Sequence, residues 1–361
     1  MDDITAEVGF GANEDILPYT ESKEIITYSN AIDIVLSSAC RNQCGFCHFS
    51  RRKADLVVPY STIKLFKAAR KMGAREANLI SGERPDRYHV IRAKFDIWGF
   101  NSYAEYIYTI AELAFLEGLL VNLNVGYLSY NELKYLQEIV STVEIPLENI
   151  NKDFLQTSGI FAQAPSKDPE IRIKLLESAG KLNIPVLTSV LLGVGESPED
   201  RIMTLVKIKE LQEEYGNIQS VKINLAHTSP EWAGDPFPAL GEEVLLETIR
   251  LARELLPEDV DITVPVNQYS NLIELIEHGV NDLGQIRNYD KDYLFPEKPY
   301  KTVGEYQQIL EASGYRLFKR LPIKNSFIVS QKYSKKLGQF LDKYKMRLKE
   351  TSKEDKFVLT L

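Results

Sequence analysis

The chain of 361 residues holds three cysteines, and all of them, Cys40, Cys44 and Cys47, fall within eight consecutive positions. Uniform scattering would do this about once in a thousand such chains. The number is odd and no distant partner exists, which excludes a disulfide framework. The C-x3-C-x2-C spacing brings three thiols round one loop and suits a shared metal centre. Several readings compete. Cys44-Gly45-Phe46-Cys47-His48 matches the pattern of covalent haem attachment but leaves Cys40 unused. A zinc site of three cysteines and His48 has suitable ligand types, yet His48 directly follows Cys47, and neighbouring side chains diverge. A redox C-x-x-C or an inert cluster is a further option. An iron–sulfur cluster on three thiolates, with one iron open to a substrate or co-substrate, fits the loop best.

Composition narrows the class. At 44% hydrophobic and 26% charged, the chain can bury a core and is not a disordered segment. Its net charge of −8 argues against bulk nucleic-acid binding. Apolar stretches such as residues 184–194 fall short of the roughly 20 residues a membrane span needs. The start, Met1-Asp2-Asp3-Ile4, lacks the basic and apolar regions of an export signal, so a cytoplasmic location is expected.

Ala31-Ile32-Asp33-Ile34-Val35-Leu36 reads as a buried strand leading into the cysteine loop. Further strands are expected over 76–80, 119–123, 142–146, 186–192, 221–225 and 261–264. Helices are expected over 61–71, 102–117, 129–139, 169–182, 198–215, 241–255 and 269–278. Ser197-Pro198-Glu199-Asp200 is a good helix start: a capping serine, a proline in the first turn and acids at the positive end. The alternation predicts an α/β fold with a parallel sheet, a full or partial TIM-type barrel, whose function sits on loops at the carboxyl ends of the strands. Residues 331–357, with Phe340, Leu341, Tyr344 and Leu348 at helical spacing, read as a helical extension docked on the barrel. The expected division is an N-terminal extension (1–26), a barrel domain (27–330) and a basic C-terminal helix and tail (331–361).

Cys40-Arg41-Asn42-Gln43-Cys44-Gly45-Phe46-Cys47, with its aromatic before the last cysteine, resembles the cluster loop of the radical S-adenosylmethionine (SAM) enzymes. That resemblance implies one 4Fe–4S cluster on Cys40, Cys44 and Cys47, whose fourth iron chelates SAM beside Phe46. It also implies SAM contacts from other loops. Ser81-Gly82-Glu83 is similar to the family's G-G-E segment, with Glu83 and nearby carbonyls accepting from the SAM ammonium. Gly193-Val194-Gly195-Glu196 resembles the glycine motif beside the adenine, with Glu196 in a structural role. Glu148 takes the position of the ribose-holding group and Arg172 that of the arginine on the SAM carboxylate. Each has a plain alternative: a turn for the glycine segments, a solvated charge for the acids and the arginine.

The likeness narrows to the CofG subunit of deazaflavin (FO) synthase. It is carried in order by Thr27-Tyr28-Ser29, Gly82-Glu83-Arg84-Pro85, Ala164-Pro165-Ser166-Lys167-Asp168-Pro169-Glu170-Ile171-Arg172, Tyr215-Gly216-Asn217-Ile218-Gln219, Gly279-Val280-Asn281-Asp282-Leu283-Gly284 and Arg320-Leu321-Pro322. It implies a lyase that makes a 5′-deoxyadenosyl radical and abstracts hydrogen from a tyrosine–diaminouracil adduct, after which ring closure expels ammonia. A CofH-type partner that makes the adduct and an external electron donor are implied with it. The chain departs from that family where its strands open into the barrel mouth, as at Asn224-Leu225-Ala226-His227 and Pro265-Val266-Asn267-Gln268. His227, Asn267 and Tyr289 are the candidate substrate or catalytic residues, with His227 suited to proton transfer during ammonia loss. Two alternatives stand beside this reading: a CofG-like paralogue acting on another substrate, and a non-catalytic metal or haem electron carrier.

Overall fold

The computed structural model describes residues 25–47, 49, 55–156, 159–226, 240–287, 298–330 and 333–342. Its sheet has nine strands, all parallel where paired: β1 (Ile25–Ser37), β2 (Glu76–Ser81), β3 (Leu120–Asn124), β4 (Thr142–Glu144), β5 (Val186–Leu192), β6 (Ile218–Leu225), β7 (Asp261–Thr263), β8 (Asp282–Arg287) and β9 (Arg316–Arg320). The order β7-β6-β5-β4-β3-β2-β1-β8 curls the first eight into the predicted TIM-type barrel, and β9 pairs with the lower half of β1. The seam between β7 and β8 is closed by Asn281. Its amide nitrogen donates to the Ile262 carbonyl (3.3 Å), its Oδ1 accepts from Ile262 N–H (2.8 Å), and its Nδ2 donates to Asp261 (2.9 Å).

The helices are α1 (Pro59–Lys71), α2 (His89–Trp98), α3 (Tyr103–Leu116), α4 (Tyr130–Leu136), α5 (Pro169–Lys181), α6 (Pro198–Tyr215), α7 (Glu242–Leu255), α8 (Leu272–Glu277), α9 (Val303–Glu311) and α10 (Asn325–Val329). The start predicted at Ser197 carries a full capping box with Asp200, and Ser129 and Glu132 form another before α4. Ile32, Ile34, Leu79, Val121 and Leu123 face this helical layer and form the apolar core with it.

The alternate strand positions look into the lumen, and there the barrel is polar. Asp33, Asn78, Asn122 and Thr142 lie in register on neighbouring strands. Thr142 Oγ1 donates to Asn122 Oδ1 (2.7 Å), Asn122 Nδ2 to Asn78 Oδ1 (2.9 Å), and Asn78 Nδ2 to Asp33 Oδ1 (2.9 Å). Arg287 Nε completes the girdle at 2.5 Å from Asp33 Oδ2. Burying such groups is costly unless they satisfy one another, and here Thr142, Asn122 and Asn78 each donate to the next acceptor while Arg287 balances the Asp33 charge.

Several elements differ from the expectations. β8, β9, α2, α9 and α10 were not expected. In β8 the sequence Asp282-Leu283-Gly284-Gln285 mixes charge, glycine and amide, because its inward positions serve the lumen and not an apolar core. The helix expected over 269–278 shortens to α8, since residues 266–268 form a separate 3-10 turn and Asn271 caps the helix start. In the C-terminal extension, Leu337 and Leu341 pack with Leu120, Leu321, Ile323 and Phe327; Tyr344 and Leu348 lie outside the described residues.

Asn281→Ala removes the side-chain bonds of the seam. Chemical denaturation should show a loss of about 1–3 kcal/mol, chiefly the cost of the Ile262 N–H left without its acceptor, since Asp261 keeps Lys324 Nζ at 2.9 Å. An unchanged midpoint would show that the seam does not depend on Asn281.

Candidate active site

The cysteine loop leaves β1 and is fastened to two other loops. Arg41 N–H donates to the Glu83 carbonyl (2.9 Å) after β2, and Gln43 N–H to the Gln163 carbonyl (2.8 Å) before α5. Asn42 and Ser166, both buried, bond each other reciprocally at 2.6 and 2.9 Å. Tyr88 Oη donates to the Cys40 carbonyl (2.7 Å), and Glu83 N–H donates to Cys40 Sγ (3.2 Å). Gly82 permits this approach: a Cβ there would stand 2.2 Å from the Ala39 carbonyl oxygen. Cys44 is buried in an apolar shell of Phe154, Ile160, Phe161, Ala164, Leu191 and Val194, with Phe46 and Cys47 at its edge.

Burial pushes all three thiols up from their ordinary value, most strongly Cys44; Cys40 and Cys47 raise Cys44 further, and Cys40 raises Cys47. Opposing this are backbone N–H groups on Cys40 and Cys47 and the cationic Lys167, which acts on all three. Soft thiolates that need compensating positive charge, in a dry shell with N–H groups on sulfur, suit an iron–sulfur cluster. Among the described residues, no three His, Cys, Asp or Glu side chains converge as ligands of a single ion. A four-iron cluster takes each thiolate on a different iron and so requires wider spacing.

Beside this loop lies an ion pair. Arg172 Nη2, on α5, donates to Glu83 Oε2 at 2.6 Å, and the two side chains are only 2% and 4% exposed. Burial alone would raise the Glu83 carboxyl; the Arg172 charge, helped by Ser166 and Lys167, holds it below its ordinary value of 4.5. The pair is incompletely satisfied: Glu83 Oε1 and Arg172 Nε and Nη1 are buried with no hydrogen-bond partner. One acceptor and two donors, side by side, match a zwitterionic head group that brings an ammonium and a carboxylate. Gly126, after β3, makes room for Glu83, since a Cβ there would lie 2.6 Å from Glu83 Cγ.

Glu148 follows β4 in the left-handed region (φ 67°), an uncommon conformation for a residue with a side chain. It is held there by backbone bonds to Ser189 and Leu191, which return the chain to β5. Its Oε1 accepts from Lys167 Nζ (2.8 Å) and its Oε2 from Ser189 Oγ (3.3 Å). Lys167 also lies 5.7 and 5.8 Å from the ring centroids of Phe46 and Phe161. After β5, Gly193 and Gly195 both have positive φ, and Glu196 braces the turn by accepting from Gly193 and Val194 N–H (3.0 and 2.8 Å). Ser81 Oγ donates to the Gly82 carbonyl (2.8 Å).

The structure therefore gathers Cys40, Cys44, Cys47, Phe46, Ser81, Gly82, Glu83, Glu148 and Arg172 round the loops at the carboxyl ends of β1 to β5, with Gly193 and Gly195 at the end of β5. Asn267 instead braces a neighbouring loop, its Nδ2 donating to the Lys298 carbonyl (2.7 Å). His227 and Tyr289 lie outside the described residues. Sequence reasoning assigned no role to Lys167, Ser166, Asn42 or Gly126. The first two sit in the stretch that delivers Arg172, and that proximity was the available signal.

Fold and site together define a radical SAM protein, and a model of the Radical SAM superfamily matches residues 34–208. The superfamily implies a 4Fe–4S cluster and SAM. Over 90% of its length the chain is 32% identical to the 7,8-didemethyl-8-hydroxy-5-deazariboflavin synthase of Methanothermobacter thermautotrophicus, covering 100% of that protein. It is 34% identical to the synthase of the same name from Archaeoglobus fulgidus, with 89% of this chain and 97% of that one aligned. The chain belongs to this synthase family within the radical SAM superfamily. In fold it is similar to the hydrogenase maturase HydG from Carboxydothermus hydrogenoformans, with TM-score 0.64, 18% identity, and 82% and 68% of the two chains covered. It is also similar to methylornithine synthase (PylB), with TM-score 0.56, 16% identity, and 82% and 84% covered.

Two predictions test this geometry. Gly82→Ala forces backbone apart where the two loops meet and should cost about 1–3 kcal/mol in denaturant unfolding of the apoprotein; unchanged stability would show the loops are not in contact. A carboxyl lowered by folding contributes stability that is complete above its unfolded value and lost as pH falls through the folded one. Acidifying the apoprotein below about pH 4.5 should thus cost the native protein more stability than Glu83→Gln. Parallel pH profiles would contradict the lowered carboxyl.

Proposed function

We propose that the chain is a radical SAM lyase that closes the deazaflavin ring from a tyrosine–diaminouracil adduct with loss of ammonia. The observation that carries this reading is the buried Glu83–Arg172 pair beside the three-cysteine loop, with one carboxylate oxygen and two guanidinium nitrogens still without partners. The full-length likeness to deazariboflavin synthases supports the choice of substrate.

In this reading Cys40, Cys44 and Cys47 hold a 4Fe–4S cluster, and the apolar shell of Phe46 and Phe161 keeps water from it. When bound, cluster and SAM together supply the electron and the 5′-deoxyadenosyl radical that abstracts hydrogen. Glu83 Oε1 accepts from the SAM ammonium, and the N–H groups of Arg172 not used by Glu83 donate to the carboxylate. Carbonyls of Ser81 and Gly82 offer further acceptors. Glu148, fixed by Lys167 and Ser189, takes the ribose hydroxyls, and Gly193 and Gly195 let backbone approach the adenine. His227 is proposed as the proton carrier for ammonia loss, with Asn267 and Tyr289 as further substrate candidates. The unit extends over 27–330, with 331–361 as an extension, and works with a CofH-type partner and an external reductant. No helix among the described residues is long and apolar enough to cross a membrane, in keeping with a cytoplasmic enzyme.

The test is an anaerobic reaction of the reconstituted protein with SAM, reductant, a CofH-type partner, tyrosine and ribityl-diaminouracil, read by liquid chromatography and mass spectrometry. Deazaflavin and 5′-deoxyadenosine are expected together, and Cys40→Ala should form neither. 5′-Deoxyadenosine alone would move the chain to another substrate. Neither product, from protein carrying its cluster, would end the radical reading.

A further inference from the structure

The pair of Lys167 with Glu148 is nearly as sequestered as that of Arg172 with Glu83: the two side chains are 12% and 7% exposed, with Lys167 Nζ 2.8 Å from Glu148 Oε1. A buried ion pair is weak evidence for stability, because desolvation consumes most of the attraction. This one has a fixed orientation. Glu148 is drawn toward β5, where its Oε2 accepts from Ser189 Oγ (3.3 Å) and its backbone bonds to Ser189 and Leu191. The ammonium end instead stands against the cysteine loop, 5.7 and 5.8 Å from the ring centroids of Phe46 and Phe161. Those rings meet edge to face (6.0 Å, 82°) in the shell round Cys44 and Cys47. The pair is thus a dipole with its positive end toward the sulfurs.

The backbone leaves the lysine little freedom to turn away. Pro165–Lys167 form a 3-10 turn in which Lys167 N–H donates to the Ala164 carbonyl (2.8 Å), and Asp168 caps α5 directly after it. The electrostatics agree with this placement. Lys167 favours negative charge on all three sulfurs, whereas Glu148 opposes it at Cys44 and Cys47, and less strongly than the lysine favours it. An electron added to a cluster on those sulfurs is one more negative charge in the same dry shell. A cation several ångströms away favours that charge, and burial keeps water from screening the effect.

We propose that Lys167, held in place by Glu148, sets the reduction potential of the cluster, raising it into the reach of an external one-electron donor. This role rests on the radical reading, since it requires a redox cluster on Cys40, Cys44 and Cys47. The step it favours is a bare electron transfer. One electron passes from the donor to the cluster, the donor is oxidised by one electron, and no bond forms or breaks.

An anaerobic redox titration of the reconstituted protein without SAM, followed by electron paramagnetic resonance, tests it on native protein, Lys167→Met, Lys167→Arg and Glu148→Gln of matched iron content. In Lys167→Met the ratio of reduced to oxidised cluster at a given poise should fall about ten-fold, a shift of about 59 mV for a one-electron couple. Lys167→Arg keeps the charge and should restore most of that ratio. Glu148→Gln keeps an acceptor for the lysine but removes the opposing charge, so its potential should rise. A packing defect alone would not give shifts of opposite sign. Equal potentials in native protein and Lys167→Met, or an arginine variant as low as the methionine one, would overturn the role. Should Lys167→Met take up no iron, Glu148→Gln decides, and a lowered potential there refutes it. Formation of 5′-deoxyadenosine with excess dithionite separates the two claims. Native protein that cleaves SAM, with potentials that ignore Lys167, keeps the function and refutes the role. Native protein whose potential depends on Lys167 yet which forms no 5′-deoxyadenosine keeps the role and refutes the function. Native protein that takes up no cluster refutes both.

Discussion

The mouth of this barrel depends on the buried contact between Glu83 and Arg172. Taking two charges out of water is expensive, and their attraction repays it only where geometry is good and the remaining lone pairs and protons find partners. Here the geometry is good and the satisfaction is incomplete. Fold stability alone does not explain such a pair, because a hydrophobic replacement is often no worse. A ligand bringing the missing acceptor and donors does explain it. The cost of leaving those atoms bare becomes affinity for the molecule that covers them.

One short segment makes the arrangement possible. Between residues 166 and 172 the chain sends Ser166 to the cysteine loop, Lys167 to Glu148 and Arg172 to Glu83. Asp168 caps α5 and Pro169 opens it, so the helix start is fixed and the three side chains diverge from a rigid origin. Gly82 and Gly126 do the complementary work by omission, since a side chain at either would collide with Ala39 or Glu83. Lys167 couples the two halves electrostatically. It balances Glu148 directly and lowers the penalty on three buried sulfurs.

The legibility of these features in sequence follows from how many uses each residue type has. Three cysteines in one loop have few, so the centre was plain without a fold. Strands and helices with clean periodicity, such as β5 and α6, were equally plain. Glu83 and Arg172 were reachable through family likeness, but their pairing was not, because 89 positions separate them and neither residue signals a partner. Lys167 was hidden because a lysine beside Asp168 reads as solvated. The lumen was hidden because Asp33, Asn78, Asn122 and Thr142 alternate with apolar residues in strands read as core. Only the closed barrel reveals that those alternate positions face one another. β8 was obscured for the same reason, its inward residues being chosen for the lumen.

The most direct measurement compares the affinities of SAM and 5′-methylthioadenosine, which lacks the amino-acid head group, for cluster-loaded protein by equilibrium dialysis. If Glu83 and Arg172 clamp the ammonium and carboxylate, native protein should prefer SAM by at least about a hundred-fold. That preference should shrink at least about ten-fold in Arg172→Met, with methylthioadenosine binding little changed. Equal affinities for the two molecules, or a preference untouched by Arg172→Met, would contradict the account.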